Sequence, residues 1–200
     1  MLRVTVVFIL LFVSTVCAQT DTSIVLLKNI DSTFITDVRY ATADNFTGKV
    51  LYNTDKVYLR RIVADSLSAA NHFLKTNYNC SIKIFDGYRP LSVQKIMWEV
   101  FPDDRYVANP ATGSMHNRGA AVDITLIDSL ETDLDMGTEY DDFTKKAHYE
   151  CSELSAEVKA NRKLLRDVMI KFGFEPIETE WWHFDFKGWK NYSILNEPIN

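Results

Sequence analysis

Stretches with a helical repeat and stretches with a strand repeat follow one another in this chain without regular alternation, and that order limits the fold more than any other feature. Repeated strand–helix units would signal a parallel, doubly wound sheet. Their absence favours a single α+β domain, with helices flanking a mixed, largely antiparallel sheet. Helical spacing is clearest over residues 59–76, where Ile62, Val63, Leu67, Ala70, Phe73 and Leu74 form one stripe. Residues 81–86 alternate as a strand does, with Ile82 and Ile84 either side of Lys83. Gly87-Tyr88-Arg89-Pro90 breaks it, and Pro90 opens a second helix with Val93, Ile96, Met97 and Val100 along one face. Residues 101–113 read as loop, 120–127 as a strand, 128–142 as an acidic connection, and 153–172 as a long helix with Val158, Leu164, Leu165, Val168 and Met169 inward. Gly173 stands where a helix C-cap belongs, and 181–186 is a last, aromatic-rich strand candidate.

The N-terminus reads as a targeting segment. Arg3 precedes an apolar run from Val4 to Val13, and Val16-Cys17-Ala18 suits a cleavage site. Residues 1–18 are therefore expected to be a signal peptide and 19–200 one domain, exported to a periplasm or secreted. An uncleaved anchor and lipidation at Cys17 are the alternatives. The run is short for a bilayer, and no later segment approaches the roughly 20 apolar residues a span needs. Cleavage removes 18 of 200 residues and one positive charge, taking the formal net charge from −5 to −6. That acidic balance does not suit nucleic acid or anionic membranes and fits a protein with a small substrate. Cys80 and Cys151 remain; they either pair in an oxidising compartment or stay as separate buried thiols, and neither sits in a C-x-x-C motif.

The chemistry concentrates in two places. In Ser114-Met115-His116-Asn117-Arg118-Gly119-Ala120-Ala121-Val122-Asp123, a glycine ends a loop and a strand follows. Strand parity sends Val122, Ile124 and Leu126 to the core and Asp123 to the other face, toward a histidine seven residues earlier. That carboxylate either orients the imidazole or shares a metal with it; alone, the pair also fits a solvent-facing Asp and a loop His. In Glu180-Trp181-Trp182-His183, a carboxylate precedes a second histidine within an aromatic run that excludes water. Two imidazoles and a carboxylate suffice to hold Zn²⁺ with a fourth position open. Zinc brings the pKa of water toward roughly 7, and a nearby Glu can accept the proton. Positions 180 and 183 have opposite strand parity, so a bulge or turn is required between them.

These motifs, S-x-H-x-x-G-x-A-x-D from Ser114 to Asp123 and E-W-W-H from Glu180 to His183, resemble those of the D-Ala-D-Ala dipeptidases. That group includes the vancomycin-resistance dipeptidases and belongs to the zinc D,D-peptidases that share a fold with the Hedgehog signalling domain. Arg39-Tyr40-Ala41-Thr42 with Asp44 to Lys49, Asp86-Gly87-Tyr88-Arg89-Pro90, and Met136-Gly137-Thr138-Glu139-Tyr140-Asp141 resemble three further stretches of the family. The resemblance implies one zinc ion per chain held by His116, Asp123 and His183. It implies Glu180 as general base and Arg89 as the cation that stabilises the oxyanion. It also implies Asp141 as partner of the substrate's amino group (Asp142 is adjacent), Ser114 as a hydrogen-bonding partner near the substrate's carboxylate, and Tyr40 as pocket wall. His72, expected near a partly buried helix face, and His148, expected on the surface, have no place in this pattern. Of the sequons at Asn45, Asn79 and Asn191, the first lies inside a family motif and reads as structural.

The implied activity is hydrolysis of D-alanyl-D-alanine to two D-alanines, linked to peptidoglycan turnover. A D,D- or L,D-carboxypeptidase acting on muropeptides would share the zinc pattern with a more open groove. A non-catalytic, metal-stabilised binding module would need neither Glu180 nor Arg89.

Overall fold

A computed structural model describes residues 23–199; the signal peptide expected over 1–18 lies outside them. In chain order the elements are β1 (Ile24–Leu26), β2 (Ile35–Thr36), β3 (Tyr58–Arg60), α1 (Arg61–Tyr78), β4 (Cys80–Asp86), α2 (Leu91–Val100), β5 (Ala121–Asp128), α3 (Ala156–Lys171), β6 (Phe174–Pro176) and β7 (His183–Phe186). Five strands form one sheet in the order β2-β4-β5-β7-β6, and β1 and β3 form a separate antiparallel pair. Within the main sheet β2 runs parallel to β4 and every other pairing is antiparallel. This is the mixed α+β arrangement that the irregular element order implies.

Local chemistry sets the helix ends. α1 stops at Asn79, whose left-handed backbone (φ 53°) closes the last turn. Ser155 caps α3 by accepting the amide of Val158. α1 buries Val63, Leu67, Ala70 and Leu74, and α1 and α3 pack together and against the sheet. Residues 59–60, expected at the start of α1, belong instead to β3, because they pair with β1. In α2 only half of the expected stripe is inward. Val93 and Met97 are buried, but Ile96 and Val100 are 36% and 42% exposed. Gln94 takes the inward place, since its amide bonds both Arg89 and the Ala108 carbonyl.

The central strand β5 is buried along both faces from Ala121 to Ile127. Val122, Ile124 and Leu126 join the hydrophobic core. Asp123 and Thr125 share the opposite, polar face, which irregular chain covers, and Asp123 there lines a cavity. β7 begins only at His183, two residues later than the aromatic pattern suggests, because Trp181 and Trp182 lie in a bend. Cys80 and Cys151 are free thiols. His72 is exposed, against expectation, and His148 is half-buried with its Nε2 3.3 Å from the Tyr106 hydroxyl. The Asn45 side chain ties its own loop together, donating to the Arg39, Thr42 and Lys49 carbonyls, as a structural sequon should.

Candidate active site

Sheet register assembles the site. Asp123 on β5 stands directly opposite His183 on β7, so their side chains leave the same face at the spacing of cross-strand neighbours. A register shift in β4 between Ile84 and Asp86 brings Asp86 opposite Asp123, on the polar face. His116 arrives from a 3-10 turn, His116–Arg118, that ends at Gly119 with φ +65°. A Cβ at Gly119 would lie 2.6 Å from Ile24 Cδ1 and 3.3 Å from the Arg60 amide nitrogen. Both the backbone angle and the space therefore require glycine.

Asp123 Oδ1 lies 2.9 Å from His183 Nδ1 and 3.3 Å from His116 Nε2, and those two ring nitrogens are 3.1 Å apart. The three residues are buried and offer one ligand atom each around a common point. Tetrahedral zinc with bonds near 2.0–2.1 Å has ligand–ligand edges of about 3.3 Å, so the donor set fits that ion. The outer nitrogens settle which lone pairs face inward. His116 Nδ1 is 2.7 Å from the Gly87 carbonyl and His183 Nε2 is 2.9 Å from Asp185 Oδ1. Both partners only accept, so both outer nitrogens carry hydrogen and His116 Nε2 and His183 Nδ1 are left as donors to a metal.

The electrostatics point the same way. Burial alone would raise the Asp123 carboxyl, yet His116 and His183 hold it well below the usual carboxylate range. Burial would lower His183, yet Asp185 and Asp123 raise it well above an ordinary imidazole. The cluster is built around positive charge.

The surrounding cavity, about 190 Å³, is lined by Tyr40, Arg89, Ser114, Asp141, Glu180 and the three cluster residues among others. All eight residues singled out in the sequence therefore converge on one space. The bend at Trp181-Trp182 resolves the parity conflict and lets Glu180 and His183 both face it. Burial drives the Glu180 carboxyl up to about 8 against the pull of His183, with Asp123 and Asp141 adding to the rise. Asp141 is likewise pushed up to about 8 by burial and the Asp123 charge; the Tyr40 hydroxyl donates to its Oδ2 at 2.9 Å. Ser114 is buried, and its hydroxyl oxygen accepts the His116 amide at 3.2 Å.

Arg89 is fixed from three sides. Its Nε and Nη2 donate to Asp86 Oδ2 at 3.0 and 2.8 Å, Nη1 donates to Gln94 Oε1 at 2.9 Å, and the guanidinium lies 5.3 Å from the Tyr40 ring centre.

Several supporting residues escaped the sequence reading. Asp185 had a usable signal, because it sits two positions after His183 on the same strand face. Tyr140, which donates to Asp123 Oδ2 at 2.9 Å, Asp86, which Tyr52 also bonds, and Asn117 had none beyond lying within a family-like stretch. Asn117 is fully buried and clamps the loops: its amide donates to the Arg89 carbonyl and its Oδ1 accepts the Ser114 amide.

Several known proteins are similar to this chain. A family model described as D-Ala-D-Ala dipeptidase, Peptidase M15, matches residues 20–198. The D-alanyl-D-alanine dipeptidase of Escherichia coli K12 is 33% identical over 164 residues, covering 82% of this chain and 84% of that one. That of Enterococcus faecium is 31% identical over 170 residues, covering 74% and 83%. Among solved structures, VanYB in complex with D-alanine-D-alanine overlaps with a TM-score of 0.44 at 15% identity, over 68% of this chain and 75% of that one.

Proposed function

This chain belongs to the D-Ala-D-Ala dipeptidase family, a family of metallopeptidases, and from that premise we propose that it hydrolyses free D-alanyl-D-alanine to two D-alanines with one zinc ion held by His116, Asp123 and His183. The observation that carries the reading is the convergence of three donor atoms within 2.9–3.3 Å of one another in a cavity that also holds Glu180, Arg89 and Asp141. Bound zinc supplies Lewis acidity and makes water nucleophilic near neutral pH.

The chain's own residues do the rest. Glu180, buried and facing the cavity beside the three donor residues, accepts a proton from the attacking water in its carboxylate form and passes it to the nitrogen of the leaving D-alanine. Arg89, immobilised by Asp86 and Gln94, stands as a fixed cation for the negative charge that develops on the carbonyl oxygen. Asp141 pairs with the substrate's ammonium group, and Tyr40 holds that carboxylate in place. Ser114, its oxygen already accepting the His116 amide, turns its proton toward the carboxylate end. The cavity volume lies below the roughly 300–1,000 Å³ of typical drug-sized pockets, which suits a dipeptide and not a peptidoglycan stem.

The test is release of D-alanine from the free dipeptide and from a pentapeptide stem, by native protein and by Glu180→Gln. Turnover of the dipeptide alone, lost in Glu180→Gln with one zinc per chain retained, is the expected result. Activity confined to the pentapeptide, or intact turnover in the variant, would overturn the reading. We further propose export with cleavage after Ala18, on the strength of the Arg3 to Ala18 segment; a mature exported protein beginning at Gln19 is the expected result, and a protein that stays in the cytoplasm with Met1 intact would refute it.

A further inference from the structure

Arg162 is a cation in the interior with no role in the chemistry above. It projects from α3, is 2% exposed, and spends its guanidinium on backbone carbonyls. Nε donates to the Met136 carbonyl at 2.7 Å. Nη1 donates to that of His148 at 3.0 Å and, more loosely, to that of Ala147 at 3.4 Å. Nη2 donates to that of Lys146 at 3.0 Å. Among the described residues no carboxylate forms an ion pair with it. Burying a cation opposes folding unless its hydrogens are satisfied, and here one planar group satisfies itself with four oxygens.

Those oxygens are not scattered. Met136 lies at the start, and Lys146 to His148 at the end, of the excursion that carries Tyr140, Asp141 and Phe143. The guanidinium therefore fastens the two ends of this loop to each other and to α3. Asn161, its neighbour, donates to the Asp135 carbonyl at 3.0 Å and extends the attachment by one residue. The same guanidinium lies 5.8 Å from the Trp181 ring centre. Trp181 in turn donates to Thr138 Oγ1 at 2.8 Å, and its carbonyl accepts the Tyr149 hydroxyl at 2.9 Å. Loop and Glu180-bearing bend are thus set against one anchor.

The loop needs such an anchor. It has little regular structure, and Asp141 sits in a left-handed backbone conformation (φ 60°) that a non-glycine residue adopts only when its surroundings impose it.

We propose that Arg162 is a positioning residue that fixes the loop presenting Asp141 to the substrate's ammonium group, so that it governs substrate affinity from outside the cavity. The proposal rests on the reading of Asp141 given above. Lysine keeps the charge but offers donors from a single point, and it cannot span carbonyls laid out for a planar fork.

The experiment is a double-mutant cycle of Arg162→Lys with Asp141→Asn, measuring kcat, KM and zinc content on D-alanyl-D-alanine. Arg162→Lys is expected to raise KM by roughly 10- to 100-fold, the scale of a small misplacement of a binding group. kcat should change less, and zinc content should stay at the native level. In the Asp141→Asn background the same substitution should change KM by no more than about threefold, because its route to the substrate is already cut.

Equal effects in both backgrounds, or a loss of kcat and zinc without a KM effect, would mean that Arg162 is merely structural, and would overturn the proposal. An unchanged KM in Asp141→Asn alone would instead sink the reading of Asp141, and the proposal with it. Should Arg162→Lys fail to fold, Asn161→Ala loosens the same loop at Asp135 from the helix surface. A raised KM there supports the proposal and an unchanged one overturns it.

Discussion

Replacing Asp185 with asparagine tests how the imidazole of His183 is made a ligand. Asp185 is buried and does not reach the metal position itself. Its Oδ1 accepts the Nε2 hydrogen of His183 at 2.9 Å, on the side of the ring away from Asp123. A hydrogen bond to a charged group contributes about 1.5–3 kcal/mol, and each 1.4 kcal/mol is about tenfold in an equilibrium constant. Loss of the carboxylate charge should therefore weaken zinc binding by roughly 10- to 100-fold, the usual range for the hydrogen-bonding partner of a ligating histidine. The asparagine amide can also turn its NH₂ toward the ring. That arrangement demands the opposite tautomer and places a hydrogen on Nδ1, where the metal should be. The assay is a zinc titration of native and Asp185→Asn protein against a competing chelator of known affinity, with thermal unfolding of both zinc-loaded forms as a control. At saturating zinc the variant should recover most of its turnover, because neither Glu180 nor Arg89 depends on Asp185. A folded variant whose zinc affinity stays within about twofold of native would refute the argument that this carboxylate sets the donor nitrogen.

Two more predictions follow from the same geometry. The Glu180 and Asp141 carboxyls are raised from 4.5 and 3.8 to about 8, and His183 is raised too. The folded chain thus holds protons that the unfolded chain releases; the stability this gives is complete below the unfolded values and is lost as pH rises through about 8. Chelator-treated protein should therefore melt at lower temperature at pH 8.5 than at pH 5, and a melting temperature that climbs over that interval would contradict the burial of these groups. Gly119→Ala forces a side chain into a left-handed position against Ile24 and the Arg60 amide. It should destabilise the fold by about 1–3 kcal/mol, seen in denaturant unfolding, and a change under about 0.5 kcal/mol would show that the turn relaxes freely.

How much of this site could be read from the chain depends on how locally each residue acts. β5 was legible because one strand carries both an apolar face and Asp123. The bend before His183 was legible because Glu180 and His183 fall on opposite parities and still need one target. Strands of two or three residues, such as β2 and β1, hold too few positions to show any period, and they exist because neighbours supply their hydrogen bonds. The pairing of Asp86 with Arg89 depends on the shift in β4 that turns Asp86 into the site, and Tyr140 reaches Asp123 across 17 residues of chain. No pattern in a single stretch announces either. The helix stripe misled at Ile96 and Val100, since it weighs apolarity alone, and Gln94 is inward because it satisfies Arg89 and a carbonyl. Burial adds a constraint that the sequence does not carry. β5 has a polar set at 123 and 125 as fully buried as its apolar set, so something polar and close-fitting must cover that face. The segment ending near Phe143, acidic and without periodicity, is one of the stretches that do so, and its Tyr140 bonds Asp123 Oδ2. Arg162 anchors that loop from α3, and the candidate active site is the cavity that Asp141 and Phe143 of the loop share with residues 104–108 and with Asp123 of the sheet.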